Sequence, residues 1–190
     1  MMNRKELIQQ LEDCPVIAAV KDEEGLQACL DSEIGIVFVL FGDICTIPEI
    51  VRKLKEREKT VIVHIDLIAG LSGKEVAVNF IHSNTEADGI ISTKPALIRQ
   101  AKELGMRTVM RFFAIDSMAF DNIRRQSEAV RPDVIEVLPG LMPKVIRKIC
   151  RDSLIPVIAG GLITEREDIM AALQAGAVSI STTNRKVWFM

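Results

Sequence analysis

Eight short apolar runs, each separated from the next by a helix-like segment, constrain this chain more than any other feature. They are PVIAAV (15–20), GIVFVLF (35–41), TVIVHI (60–65), DGIIS (88–92), RTVMRFF (107–113), DVIEVL (133–138), PVIAG (156–160) and AVSIS (177–181). Their unbroken apolar character predicts strands buried on both faces, as parallel strands are. Helical patterns fill the gaps at 23–32, 46–58, 73–85, 95–104, 116–130, 141–152 and 164–175, and an extra helix is expected at 3–12. Thr46 with Glu49, and Thr164 with Glu167, have capping-box spacing. Pro95 suits a first helical turn, and Gly105 and Gly176 suit helix ends. Repeated βα units build either a doubly wound sheet or a barrel. Eight strands favour the barrel, and the first strand ends in AAVKDEEG, without the glycine cradle of a dinucleotide site. The expectation is one domain, 1–190: a compact (β/α)8 TIM-type barrel. Such barrels usually take ~250 residues, so the loops must be short. Only TTNRKVWFM follows the eighth run, so the last helix must be short or degenerate.

The net charge of -2 conceals an asymmetry. Residues 1–93 carry 9 basic and 16 acidic side chains, whereas residues 94–152 carry 12 and 7. Whole-chain charge argues against a polyanion-binding face, but the distribution, the better guide, leaves room for one in the second half. The start, MMNRKELIQQLED, is charged and amphipathic, unlike a signal peptide, and runs such as IGIVFVLF are too short to span a bilayer. A soluble, cytoplasmic protein is expected. Cys14, Cys29, Cys45 and Cys150 form no CxxC pair and read as reduced core thiols.

Barrel ligands sit at the C-terminal strand ends. Those ends offer Lys21, Asp43, His64, Asp66, Ser92-Thr93-Lys94, Arg111, Glu136, Gly160-Gly161 and Ser181-Thr182-Thr183. The pair of loops after strands seven and eight points to a phosphate site. Glycine permits close approach, backbone N–H groups and a helix N-terminus favour an anion, and hydroxyls add donors. Lys94 and Arg111 either complete this site or form salt bridges to Asp66 or Glu136. His64 and Asp66, two apart on a strand, would share a face and suit acid–base work; a buried structural histidine is the alternative. His82 reads as solvent-facing. Two distant histidines without a third ligand argue against zinc. Lys144, Arg147, Lys148 and Arg151 stand at i, i+3, i+4 and i+7, a basic stripe that is either a solvated helix face or a contact to phosphate backbone. No aromatic-rich motif for stacking unpaired bases is evident.

Several stretches carry a more specific signal: LFGDICTI (40–47), VHIDLIAGLS (63–72), ADGIISTKP (87–95), RFFAIDSMA (111–119), IEVLPGLMPKVI (135–146), IAGGLI (158–163) and STTNRKVW (181–188). Through them the chain resembles the glycerol-3-phosphate-responsive antiterminator family. The resemblance implies a (β/α)8 barrel that regulates glycerol uptake genes, binding leader mRNA when glycerol 3-phosphate occupies it. It implies a sensor rather than an enzyme, with glycerol 3-phosphate as effector and no cofactor or metal. Lys94, Gly160, Gly161, Ser181, Thr182, Thr183, Asp66, Arg111 and Glu136 are then the expected ligand residues. Lys144, Arg147, Lys148 and Arg151 are the expected RNA residues, and a homo-oligomer is left open. From the residues alone, a phospho-sugar or phospho-triose isomerase, epimerase or lyase using His64, Asp66 or Glu136 remains a live alternative, as does a barrel serving as a protein-interaction module.

Overall fold

The computed structural model describes residues 4–189. Its first half runs α1 (Arg4–Asp13), β1 (Val16–Val20), α2 (Glu23–Leu30), β2 (Ile36–Val39), α3 (Ile47–Lys55), β3 (Thr60–His64), α4 (Glu75–Asn84) and β4 (Gly89–Ser92). The second half runs α5 (Pro95–Glu103), β5 (Arg107–Phe113), α6 (Ser117–Val130), β6 (Val134–Leu138), α7 (Pro143–Asp152), β7 (Val157–Gly160), α8 (Arg166–Gln174) and β8 (Ser179–Thr182). Short 3-10 segments lie at Ile65–Leu67 and Arg185–Phe189. Each strand pairs in parallel with the next, and β8 returns to β1, closing the barrel. The compact (β/α)8 expectation holds, with α1 as the extra helix and Arg185–Phe189 in place of a full last helix. The first helix was expected from Asn3, which lies outside the described residues.

Strand alternation explains why both faces of each run are apolar. Ile17, Ala19, Ile36, Phe38, Ile62, Ile91, Val109, Val134 and Ile158 form one buried cluster with Leu7 and Leu11 of α1. The apolar face of α1 therefore stoppers the N-terminal end of the barrel, where the Thr60 hydroxyl also donates to Gln10 Oε1 at 2.9 Å. The alternate residues, among them Val20, Val37, Val61, Ile90, Met110 and Val137, pack beneath the outer helices.

Local signals place most helix ends correctly, with informative shifts. Pro95 opens α5, and Gly105 and Gly176 adopt left-handed φ of 73° and 107° after α5 and α8. The expected Thr46 box is replaced by an Asp43 turn: Asp43 Oδ1 accepts the N–H groups of Cys45 and Thr46, both at 2.8 Å. Glu165, not Thr164, caps α8, because the Asp168 carboxylate reaches back to the N–H groups of Thr164 and Glu165 at 3.0 Å. The four thiols are free, but they are not all core: Cys29 is buried, Cys14 and Cys150 are half-buried, and Cys45 is exposed on the Asp43 turn.

Candidate functional site

Near the mouth of the barrel, inward-facing positions of β5, β6, β7 and β8 carry Arg111, Glu136, Gly160 and Ser181. Register sets Arg111 beside Glu136, and Gly160 beside Ser181. Arg111 Nε donates to Glu136 Oε2 at 2.6 Å, and the Ser181 hydroxyl donates to Glu136 Oε1. Glu136 is fully buried, so its charge is tolerable only because both oxygens are engaged, one by a guanidinium. Gly160 makes this possible. A Cβ there would lie 2.6 Å from both Glu136 Oε1 and Ser181 Oγ.

A second ion pair stands beside it, after the neighbouring strands β3 and β4. Asp66 lies in the 3-10 turn after β3, where its Oδ2 accepts the Ser92 hydroxyl and the Thr93 N–H, both at 2.9 Å. Lys94 Nζ sits 3.2 Å from Oδ1, above Gly73, where a Cβ would come within 2.5 Å of the ammonium. Burial opposes ionisation of Asp66, but the bonds from Thr93, Ser92 and Lys94 outweigh it and hold the carboxyl below its usual range. His64, 3% exposed, has an Nδ1 with no hydrogen-bond partner. Burial, reinforced by the charge of Arg111, pulls its pKa down to about 4 despite the nearby Asp66. The imidazole is therefore neutral at neutral pH. The expected same-face His64–Asp66 pair is modified: the strand stops at His64, alternation lapses in the 3-10 turn, and Asp66 bonds to Ser92 and Thr93 instead.

The loops after β7 and β8 are pinned together. The Thr182 hydroxyl donates to Ile163 O at 2.8 Å and accepts the Asn184 N–H at 3.0 Å, while Asn184 Nδ2 donates to Thr164 O at 3.2 Å. Both the hydroxyl and the carbonyl of Thr182 are thus committed, the carbonyl to the indole N–H of Trp188. Gly161 and Leu162 are both left-handed, with φ of 76° and 62°. For leucine that is an uncommon, strained backbone, of the kind that collects at functional loops. Thr183 is exposed and lines a cleft of about 300 Å³ with Lys21, Asn184, Arg185 and Lys186. Lys21 is recognisable in the sequence only as a strand end. Closure of β1 on β8 is what sets it beside Thr183, and no local signal points to that neighbour.

The expected ligand residues therefore form adjoining groups around one mouth: the Arg111–Glu136–Ser181 network over Gly160, the Lys94–Asp66 pair, and the loops bearing Gly161 and Thr183. The other expected surface lies on the outside. Lys144, Arg147, Lys148 and Arg151 are exposed on α7, opposite the buried Ile146 and Ile149. Two of the four already have partners: Arg151 pairs with Asp152 at 3.0 Å, and the Lys148 ammonium sits 4.2 Å from the centroid of the Phe120 ring. His82 is exposed on α4, as expected. Among the described residues, no cluster of three His, Cys, Asp or Glu side chains could hold a metal, and no helix is long and apolar enough to cross a membrane.

Comparison with known proteins agrees on one family. The sequence model of a family described as glycerol-3-phosphate responsive antiterminator matches residues 16–188. The YgcP protein of Escherichia coli (strain K12) is 47% identical over 182 residues, covering 96% of this chain and 95% of that protein. The crystal structure of a glycerol uptake operon antiterminator regulatory protein from Listeria monocytogenes superposes with a TM-score of 0.89 at 32% identity, over 92% of this chain and 94% of the other. That of a glycerol uptake operon antiterminator-related protein from Thermotoga maritima gives 0.82 at 39% identity, over 92% and 98%.

Proposed function

Because this chain belongs to the glycerol-3-phosphate responsive antiterminator family, we propose that it is a cytoplasmic sensor of glycerol 3-phosphate. The occupied form binds leader mRNA and prevents early termination of transcription of glycerol uptake and metabolism genes. The sensing rests on a single domain, 1–190, without cofactor or metal. The observation that carries the ligand half is the arrangement of the mouth: the Lys94–Asp66 pair after β3 and β4 stands across the ring from the loops after β7 and β8, with their two left-handed residues, and the Arg111–Glu136 pair lies on the strands between.

The two contacts differ in how readily they exchange partners. Lys94 is half exposed, so its pairing with Asp66 is worth little and a phosphate competes with it easily. Arg111 and Glu136 are both buried, so separating them is costly, and they act as a fixed floor. A phosphate at the Gly161 and Thr183 loops meets backbone N–H groups and Lys94, which leaves the diol of glycerol 3-phosphate toward the floor. The exposed basic stripe on α7 supplies cations to RNA phosphates.

Calorimetric titration of glycerol 3-phosphate into the whole chain should show binding. Lys94→Gln should weaken it about ten- to a hundredfold, as expected for a lost charge-assisted contact, and Gly161→Val should abolish it. Affinity for the leader RNA of a glycerol operon should rise in the presence of the ligand. Unaltered ligand binding by both variants would remove the mouth from the argument. Sustained product formation from glycerol 3-phosphate, lost in His64→Ala or Asp66→Ala, would instead establish the phospho-sugar or phospho-triose enzyme.

A further inference from the structure

The seam between α6 and α7 carries features that the ligand site does not use. Two surface cavities, of about 540 and 480 Å³, open along it and share Phe120 as a wall. The larger is walled by Ile123, Ile149 and Ile155 and rimmed by Arg124 and Arg131; the smaller is rimmed by Lys144 and Lys148. Ser127, 4% exposed, also lines the larger cavity, and its hydroxyl has no hydrogen-bond partner. Large apolar side chains stand in solvent around the seam: Ile115 and Met118, each 79% exposed, at one end, and Leu154, 101% exposed, at the other. Such a concentration on one sector marks an interaction site.

We propose that this seam is a base-binding surface for single-stranded RNA. Unpaired bases enter the two cavities against Phe120, and the strand's phosphates lie along the rim cations. This rests on the antiterminator reading and specifies its partner. The chemistry of the rim selects the occupant. Unpaired bases need apolar or aromatic walls and a few polar atoms at their edges, while their phosphates need cations at the entrance. The seam provides both, with the Ser127 hydroxyl inside and Lys148 over the Phe120 ring, a face it yields to an entering base as its ammonium moves to the strand's phosphates. Four cations line the two cavities against three carboxylates: Asp116, which caps α6 at Ala119 N, Glu128, and Asp152, whose charge is already met by Arg151, so the rim keeps a positive excess. A second copy of the chain fits less well, since a two-fold contact centred on the seam would set these cations against themselves. An RNA duplex offers phosphates but no free base faces.

The test uses the whole chain with glycerol 3-phosphate present, and two probes: an oligoadenylate strand, and the same strand annealed to oligouridylate. The strand should bind on the order of tenfold tighter than the duplex. Phe120→Leu, which keeps the seam apolar but removes the ring, should cost about tenfold on the strand and leave the salt dependence unchanged, since stacking is what it removes. Leu154→Glu, on a fully exposed side chain that cannot disturb the core, should also lower strand affinity, by placing an anion at the larger cavity. Lys144→Gln with Lys148→Gln should instead flatten the salt dependence by about two phosphate contacts. Duplex binding as tight as strand binding, or unchanged affinity in both Phe120→Leu and Leu154→Glu, overturns the proposal. So does a dimer in sedimentation that Leu154→Glu dissociates with RNA affinity intact, which would assign the face to a second copy. These results stay distinct from failure of the antiterminator reading itself, in which the unaltered chain binds no strand, duplex or glycerol-operon leader, with or without ligand.

Discussion

At Gly160 one absent carbon decides whether the mouth of the barrel can be built. Gly160→Ala forces a Cβ to within 2.6 Å of the Glu136 carboxylate and the Ser181 hydroxyl. Overpacking of this kind should cost about 1–3 kcal/mol in urea unfolding. Gly35→Ala is the control: no atom lies within 4 Å of its Cβ, so its stability should change little. Glu136→Gln should cost more, about 3–5 kcal/mol, because it strands the Arg111 charge in the interior. Polar interruptions of apolar strands were enough to mark Arg111, Glu136 and Ser181 in the sequence as mouth residues. The role of Gly160 was not legible, because residues 136, 160 and 181 meet only when three strands lie in register; glycine beside glycine looks the same whether it cradles an anion or gives room to a carboxylate. His64 supplies a pH test. Its folded pKa of about 4 lies below the usual 6.5, so as pH falls from 6.5 toward 4 the unfolded chain takes up a proton that the native chain refuses. Stability should therefore fall across that window, by up to ~1.4 kcal/mol per pH unit, and His64→Leu should flatten the fall. Asp66, held below its usual range, contributes stability that is present above the ordinary carboxylate pKa and is lost only as pH drops through its own lower value. Its effect thus lies on the acid side of the His64 window.

Among the elements, strands were far more legible than the contacts between helices. All eight expected runs contain a strand, because a strand buried on both faces writes its whole length in apolar residues. Run two overreaches its strand at both ends and run eight begins two residues early, where Gly35, Leu40 and Val178 still bond to the neighbouring strand. Helix starts were legible to within a residue or two, and α8 shows why not better. Thr164 and Glu167 have the right spacing, but the Asp168 carboxylate has the shorter reach to the free N–H groups. Asp168→Ala should therefore cost about 1 kcal/mol, while Thr164→Ala and Glu167→Ala should cost much less, as thermal unfolding of the three variants would reveal. Of the α6–α7 seam only the cations of α7 were legible in the sequence, as the stripe Lys144, Arg147, Lys148 and Arg151. Phe120 looks unremarkable on α6, and only side-by-side packing sets it under Lys148.

For the molecule as a whole, the uneven charge acquires a location. The basic stretch 94–152 spans α5 through α7, so its excess cations collect on one sector of the barrel wall. The strands inside that sector, β5 and β6, carry Arg111 and Glu136 at the mouth and lead directly into α6 and α7. A ligand seated on that floor therefore bears on the two strands that feed the seam. If ligand raises RNA affinity by some factor, RNA must raise ligand affinity by the same factor, typically about 5–150-fold. Titrating glycerol 3-phosphate with and without saturating leader RNA should show ligand affinity raised by that factor; an affinity that RNA leaves unchanged would mean that the two sites are not coupled. The closed ring also has a consequence for how the protein is made. Val16 finds its permanent neighbour only in Ile180. While the ribosome works through everything between them, the growing sheet carries two raw edges, each a template for a stray strand from another nascent chain. Chaperone demand should therefore be highest late in synthesis, and a chain shortened to end before Ser179 should aggregate rather than fold into a smaller barrel.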